Sequence, residues 1–258
     1  MIHLKTEREI DIMKESASIV GRTLAEVAKL IKPGVRCKTL DSVAETFIRD
    51  NGAVPSFKNY NGFPSTLCVS VNDVIVHGIP GQYELHEGDI VSVDCGAKKN
   101  GFHADYAYTF MVGHVTEEIR NLCDRTKQAL YLGIEQAVAG NRIGDISHTI
   151  QSYVESYGYS VVRELIGHGV GRNLHEGPDV PNYGVKGSGA KIKKGMVFCI
   201  EPMINLGVKN INIDRDGWTT RTADGLPSAH YEHMVAVRDN GTELLSTYQY
   251  VEEVLNKQ

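Results

Sequence analysis

Cysteine is scarce in this sequence, at 5 of 258 residues, and the five are scattered with no Cys-x-x-Cys pair. An odd, scattered set argues against a disulfide framework and a four-cysteine zinc site, and favours reduced thiols. Long apolar runs are also missing, since none exceeds about five residues, so no segment is expected to span a bilayer. The first residues lack the basic, apolar and small-residue order of a secretion signal. A cytoplasmic protein without a membrane partner is therefore expected.

An excess of positive charge is missing too. Lysine and arginine number 27 against 32 acidic residues, for a net charge of −5, so no bulk attraction to nucleic acid is expected. With 41% hydrophobic and 23% charged residues the composition is that of a soluble globular protein. No linker-like segment divides the chain, which predicts a single domain over residues 1–258. No interface is evident, so a monomer is expected.

Four stretches have the periodicity of amphipathic helices. Thr6 and Glu9 form a capping-box pattern at the start of the first one. The four begin near residues 6, 39, 116 and 145 and end before glycine-containing turns. The two helix pairs match at an offset of 106 residues, for example Gly34 with Gly140 and Gly52 with Gly158. This repeat predicts a duplicated α+β chain, with two halves of about 1–112 and 113–258 that each hold an α-hairpin and a sheet.

Strand-rich sequence follows each helix pair. Residues 89–96 form an apolar run, and Asn100-Gly101 separates it from a second run at 102–112, which predicts an antiparallel hairpin. In the second half, residues 196–204 and 228–237 are each predicted to be one strand. A last hairpin is predicted to begin at Asn240-Gly241.

Carboxylates interrupt these apolar strands. Asp94 lies in the first run and Asp105 in the second, where the hairpin register places Asp94 opposite Ala107 and Asp105 on the same face. Two buried carboxylates this close repel each other unless a cation lies between them. The chain therefore holds a candidate metal site in its first half.

The duplication adds a second acidic pair. At an offset of 107 residues, the counterpart of Asp94 is Glu201. Glu232 lies on the following predicted strand, where the counterpart of Asp105 is expected. Four carboxylates that meet across a pseudo-twofold axis are balanced by two divalent ions, as in dinuclear sites. His168 offers a nitrogen ligand, and the glycines around it predict close backbone approach and positive φ.

At these residues the sequence resembles the methionine aminopeptidases, in their short bacterial type I form. The resemblance covers nearly the whole chain, and its motifs occur in order at residues 72–80, 93–96, 103–105, 167–172, 175–176, 200–203 and 231–233. It implies the pita-bread (creatinase/aminopeptidase) fold, a pseudo-twofold α+β domain. It also implies the hydrolytic removal of an N-terminal methionine that precedes a small residue. The expected partner is the methionine-bearing peptide or nascent chain, with transient ribosome proximity.

The resemblance implies a ligand set for two divalent ions, whether Fe, Mn, Co, Ni or Zn. Asp105 and Glu232 would bridge the ions, Asp94 would complete one shell, and His168 with Glu201 the other. A monovalent cation is a further possibility in this family, and the positions that match it are Asn72, Val74 and Ser228.

The same resemblance implies catalytic and substrate-binding residues. Glu201 would shuttle a proton, His175 would donate to the developing oxyanion, and His77 would position the peptide. His233 is predicted to contact Glu232, whereas His230 is predicted to be structural. Candidates for the methionine slot are Phe57, Tyr60, Phe63, Leu174 and Trp218.

Two alternatives remain open at this level. A prolidase or X-Pro aminopeptidase of the same fold would share the five metal ligands, although residues 77–80 and 231–233 favour the methionine enzyme. A non-enzymatic pita-bread binding protein would be expected to have lost ligands, and all five are intact. A dinucleotide site at residues 167–171 is excluded by its glycine spacing.

Overall fold

The computed structural model describes residues 1–239 and 241–257. The helices of this part of the chain are α1 Glu7–Ala28, α2 Cys37–Asp50, α3 Glu117–Glu135, α4 Ile143–Glu155 and α5 Gln249–Leu255. The strands are β1 Val54–Pro55, β2 Leu67–Val71, β3 Val74–Val76, β4 Ile90–Lys99, β5 Phe102–Met111, β6 Ser160–Val161, β7 Gly167–Gly169, β8 Glu176–Val180, β9 Val197–Ile200, β10 Met203–Asn205, β11 Ile211–Ile213, β12 Thr220–Thr222, β13 Ser228–His230, β14 His233–Arg238 and β15 Gly241–Leu244. Among these residues no helix combines the length and the apolar character needed to cross a membrane.

Capping fixes where α1 starts. The Thr6 hydroxyl accepts the Glu9 N–H at 3.3 Å, and the Glu9 carboxylate accepts the Thr6 N–H at 3.0 Å, which satisfies backbone donors that the helix itself leaves free. The predicted capping box is confirmed. The second and fourth helices begin two residues before the predicted positions, at Cys37 and Ile143.

The internal repeat is visible in the backbone. Gly34 and Gly140 have φ of 86° and 104°, in the left-handed region that glycine adopts without strain. Arg36 and Arg142, also related by the offset, both precede the second helix of their pair, and both form isolated β-bridges. The two α-hairpins therefore have equivalent local structure.

The first carboxylate hairpin forms as predicted. β4 and β5 pair antiparallel around the turn at Asn100-Gly101, with Asp94 opposite Ala107 and Gly96 opposite Asp105. Most of the side chains on both strands are buried, and α1 packs against the hairpin. Burial of apolar side chains on both strands fixes the register, since a one-residue slip would turn every side chain to the other face.

The prediction of two continuous strands in the second half is wrong, because each strand is interrupted. Residues 201–202 separate β9 from β10, and residues 231–232 separate β13 from β14. Pro202 has no N–H to donate to a ladder. The Glu232 N–H donates to the Ala107 carbonyl of β5 at 3.1 Å, so this segment bonds to the first half of the chain.

Pairing resumes in the same register on both sides of the interruption. Ile200 pairs with His233, and Met203 pairs with His230. Glu201 directly follows Ile200, and Glu232 directly precedes His233. The two glutamates are therefore adjacent to the same strand pair and come close together. The last predicted hairpin is present between β14 and β15, with Arg238 paired to Gly241, and Asn240 lies outside the described residues.

Candidate metal centre and peptide cavity

One cavity of about 310 Å³ opens where the two halves meet. All twelve of the predicted metal, catalytic and pocket residues line it, namely Phe57, Tyr60, Phe63, His77, Asp94, Asp105, His168, Leu174, His175, Glu201, Trp218 and Glu232. The sequence distributes these residues over 176 positions, from 57 to 232, so only the packing of the two halves brings them together.

The acidic end of the cavity contains four carboxylates and one imidazole. The His168 Nε2 lies 3.7 Å from Glu201 Oε1 and 3.9 Å from Asp105 Oδ2. Asp105 is 4% exposed and Glu232 is 2% exposed. Ligand atoms of Asp94, Asp105 and Glu232 lie within 4.8 Å of one another.

Burial makes ionisation of the carboxyl groups at this end of the cavity unfavourable without a counter-charge. It raises the pKa of Asp94 to about 7, and raises the pKa of Asp105, Glu201 and Glu232 well above the usual carboxylate range. Mutual repulsion adds to the effect for the last three. His168 provides no counter-charge, because burial lowers its pKa to about 3. The four carboxylates are therefore hydrogen-bond acceptors whose charge the neighbouring imidazole does not neutralise.

The donor set fits divalent metal ions. Asp94 Oδ1, Asp105 Oδ1 and Glu232 Oε1 are buried and have no hydrogen-bond partner within the described part of the chain. Buried acceptors without a donor are rare and costly, and a cation satisfies them. A second group of ligand atoms, from His168, Cys199 and Glu232, also lies within 4.8 Å. Glu232 is the residue that both groups share, and Cys199 is a member of the second group that the sequence does not predict as a ligand.

Two histidines stand beside this cluster. The His175 Nδ1 lies 2.8 Å from the Tyr60 hydroxyl, and the ring centroids of His175 and His168 are 4.0 Å apart. His77 has a positive φ of 58°, and its ring meets Trp218 edge to face at 6.3 Å. Burial lowers the pKa of His77 to about 4, so it is neutral at physiological pH.

The other end of the cavity is apolar. Phe57, Phe63, Cys68 and Leu174 form a small buried cluster that is separate from the main core, and Tyr60, Ile79 and Trp218 pack against it. Phe63 and Trp218 meet edge to face at 5.2 Å. A slot of this kind, next to a metal-ligand cluster, can accept an unbranched apolar side chain.

Comparison with known proteins identifies the family. The model of metallopeptidase family M24 matches residues 11–239. A methionine aminopeptidase of Clostridium perfringens is 51% identical over 246 residues, which cover 95% of this chain and 99% of that protein. The chain belongs to the methionine aminopeptidases of family M24.

Solved structures agree with this assignment. The crystal structure of a Thermotoga maritima methionine aminopeptidase matches with a TM-score of 0.94 and 42% identity, covering 96% of this chain and all of that one. A Pyrococcus furiosus prolidase matches with a TM-score of 0.78 and 24% identity, covering 95% of this chain and 65% of that one. The prolidase shares the fold alone. The predicted pita-bread fold, the hydrolase class and the preference for methionine aminopeptidase over prolidase are confirmed.

The glycines of this methionine aminopeptidase act by allowing close approach, and the positive φ predicted for them is wrong. Gly167 and Gly169 lie in β7 and have ordinary φ values. A Cβ on Gly167 would lie 2.4 Å from the Cys199 carbonyl oxygen, and one on Gly169 would lie 2.2 Å from the Gly177 carbonyl oxygen. The lack of a side chain on either side of His168 therefore lets β7 pack closely against these two carbonyl groups.

Several residues at the site were not predicted from the sequence. The sequence predicts Cys68 and Cys199 only as reduced thiols, and nothing in their spacing distinguishes them. His230, predicted to be structural, is 1% exposed, and its Nε2 lies 3.8 Å from Glu201 Oε2. Its position two residues before Glu232 was the available signal.

The predicted contact between His233 and Glu232 is wrong, because both ring nitrogens of His233 have other partners, Ser246 at 2.6 Å and Tyr131 at 3.2 Å. Tyr248 holds the Glu232 backbone instead. Its hydroxyl accepts the Glu232 N–H at 3.0 Å and lies 2.8 Å from the carbonyl oxygens of Glu232 and Ala107. Tyr248 thus links the backbone of Glu232 to that of Ala107 in β5.

Replacing Tyr248 by phenylalanine should weaken the metal centre. Loss of the hydroxyl is expected to cost about 1–2 kcal/mol of stability and about tenfold in metal affinity, since it orients a ligand. Thermal unfolding and calorimetric titration with Mn²⁺ measure the two effects. Tyr131→Phe is the control, because it removes a hydrogen bond from the same aromatic cluster without touching Glu232. Equal Mn²⁺ affinity in the two variants would contradict this role.

Proposed function

We propose that this chain removes the N-terminal methionine of peptides and nascent proteins by dinuclear metal-dependent hydrolysis, when the second residue is small. The observation that carries the proposal is the cavity itself. It places the clustered ligand atoms of Asp94, Asp105 and Glu232, together with His168 and Glu201, beside a buried apolar cluster. A peptide whose first side chain fills the slot would present its first peptide bond to the carboxylates.

Five residues would hold the ions. Asp105 and Glu232 would bridge them, Asp94 would complete one shell, and His168 with Glu201 the other. When bound, two such ions supply Lewis acidity and lower the pKa of a water molecule. Four carboxylates and one imidazole suit Fe, Mn, Co, Ni or Zn, and the donor set does not choose among them.

Residues of the chain would move the protons. Glu201 would accept a proton from the attacking water and pass it to the leaving amine. Its Oε1 lies 3.7 Å from the His168 Nε2, at the acidic end of the cavity. His175 would donate a hydrogen bond to the oxyanion, with its Nδ1 held by the Tyr60 hydroxyl. His77 would position the peptide beyond its first residue, next to Trp218.

The apolar cluster would select methionine. Phe57, Phe63 and Leu174 close the slot, and Tyr60 with Trp218 form its rim. A flexible thioether fills an irregular aromatic-lined space better than a branched side chain. His77 and His175 also line the cavity, and contacts of the second residue with them would favour a small side chain there.

The proposal also covers the oligomeric state, the cellular location, the domain organisation and a monovalent cation site. The chain would act as a monomer in the cytoplasm, close to ribosomes during synthesis of its substrates, as one domain with halves of about 1–112 and 113–258. A monovalent cation would bind near Asn72, Val74 and Ser228. These positions adjoin, since the Ser228 N–H donates to the Asn72 carbonyl at 2.9 Å.

Peptide hydrolysis tests this function. The purified protein, stripped with a chelator and reloaded with single metals, is expected to cleave Met-Ala-Ser at least a hundredfold faster than an Ala-Pro peptide. Leu-Ala-Ser is the matched control, because it differs from Met-Ala-Ser only in the side chain that would enter the apolar slot. Preference for the Ala-Pro peptide, or activity that survives complete metal removal, would contradict the proposal.

A further inference from the structure

The N-terminal segment, residues 1–5, lies against the loop that carries His175. The Lys5 N–H donates to the Gly195 carbonyl at 2.7 Å, and the Gly177 N–H donates to the Met1 carbonyl at 3.1 Å. Lys5 directly precedes Thr6, the N-cap of α1. The segment is therefore fastened at both ends.

A buried ion pair joins the segment to the loop. The Lys5 Nζ donates to Glu176 Oε2 at 2.5 Å, and the two side chains are only 5% and 4% exposed. The other carboxylate oxygen, Oε1, accepts the Asn173 N–H at 3.1 Å. Exposed ion pairs contribute little to stability. When one partner of a buried pair is removed, the other keeps a charge without a counter-charge. The loop must then move to expose that charge to water.

Gly171 makes room for this pair. A Cβ at Gly171 would lie 2.5 Å from Lys5 Cε and 2.8 Å from Glu176 Oε1. The Gly171 carbonyl also accepts the His103 N–H of β5 at 2.8 Å. The loop is thus packed between the N-terminal segment and the hairpin that carries Asp94 and Asp105.

We propose that Lys5 is a positioning residue for His175. Its ion pair with Glu176 fixes residues 173–176, so that the adjacent His175 imidazole stays against Tyr60 and His168. The inference rests on the proposed role of His175 as a hydrogen-bond donor in hydrolysis. Lys5 does not line the cavity, so it acts through the loop alone.

Variants of the metal-loaded enzyme test the inference with Met-Ala-Ser as substrate. Lys5→Met should lower kcat about tenfold and leave KM within about twofold, because a misplaced donor loses its contact in the transition state. The double variant Lys5→Met/Glu176→Gln should recover part of the lost kcat, because it leaves no unpaired buried charge. Lys14→Met is the control, since it breaks a partly exposed ion pair of α1 with Glu243.

NMR of ¹⁵N-labelled histidine, with the His175 signal assigned from His175→Ala, separates positioning from general destabilisation. Lys5→Met should shift the His175 signal, and Lys14→Met should not. A Lys5→Met variant that loses only thermal stability, with kcat and the His175 signal unchanged, would overturn the inference. If His175→Ala keeps wild-type kcat, the proposed role of His175 is wrong, and a shifted signal in Lys5→Met still supports the positioning.

Discussion

Glu201→Gln should lower kcat on Met-Ala-Ser by roughly a thousandfold or more while the protein stays folded, because an amide cannot shuttle a proton. The same change removes a carboxylate whose repulsion, together with burial, raises the pKa of Glu232. The metal-free variant should therefore be at least as thermally stable as the metal-free wild type at pH 8. Steady-state kinetics, metal analysis and thermal unfolding measure the three quantities.

Glu164→Gln is the matched control for this experiment. Glu164 lines the same cavity, but it is exposed, and its carboxylate accepts the neighbouring Arg163 N–H at 3.2 Å. It should keep kcat within a fewfold of wild type. A Glu201→Gln variant that binds metal and retains more than about a tenth of wild-type kcat would rule out the proton shuttle.

Removal of the metals should make the stability of the protein fall as pH rises. The pKa of Asp94 is about 7 in the folded chain, against an ordinary value of 3.8. Between these values the folded state holds more protons than the unfolded state, so the free energy of unfolding decreases with pH by up to roughly 1.4 kcal/mol per pH unit and proton. Asp105, Glu201 and Glu232 act in the same direction.

For the chelated protein we expect the melting temperature to drop by about 10 °C between pH 5 and pH 8. The metal-loaded protein should show no such drop, because the ions compensate the ionised carboxylates. Asp94→Asn, without metal, should flatten the profile by removing one titrating group. Parallel profiles with and without metal would show that the cluster is not the metal site.

Local patterns in the sequence were sufficient to predict the elements that local chemistry specifies. The capping box at Thr6, the Asn100-Gly101 hairpin and the opposition of Asp94 and Ala107 depend on residues close together in the chain. Each can be predicted from a local hydrogen bond, a turn sequence or side-chain alternation, without knowledge of a distant partner. The acidic residues can also be identified from local sequence, because a carboxylate inside an apolar strand is unfavourable without a cation.

The second half could be predicted less well, since its strands change partner. The apolar pattern of residues 196–204 and 228–237 indicates two continuous strands. The structure breaks both, because Pro202 cannot donate and the Glu232 N–H pairs with Ala107 of the first half. That partner is 125 residues away, so no local pattern signals it.

By itself the sequence determined the α+β class, the duplicated helix pairs, the family and the five candidate ligands. The tertiary structure alone decided how these residues meet in one cavity, and that Tyr248 and Lys5 lie behind Glu232 and His175. The physical reason is that periodicity and turn chemistry act over a few residues. Burial of charge and contacts between the halves exist only once distant segments have packed.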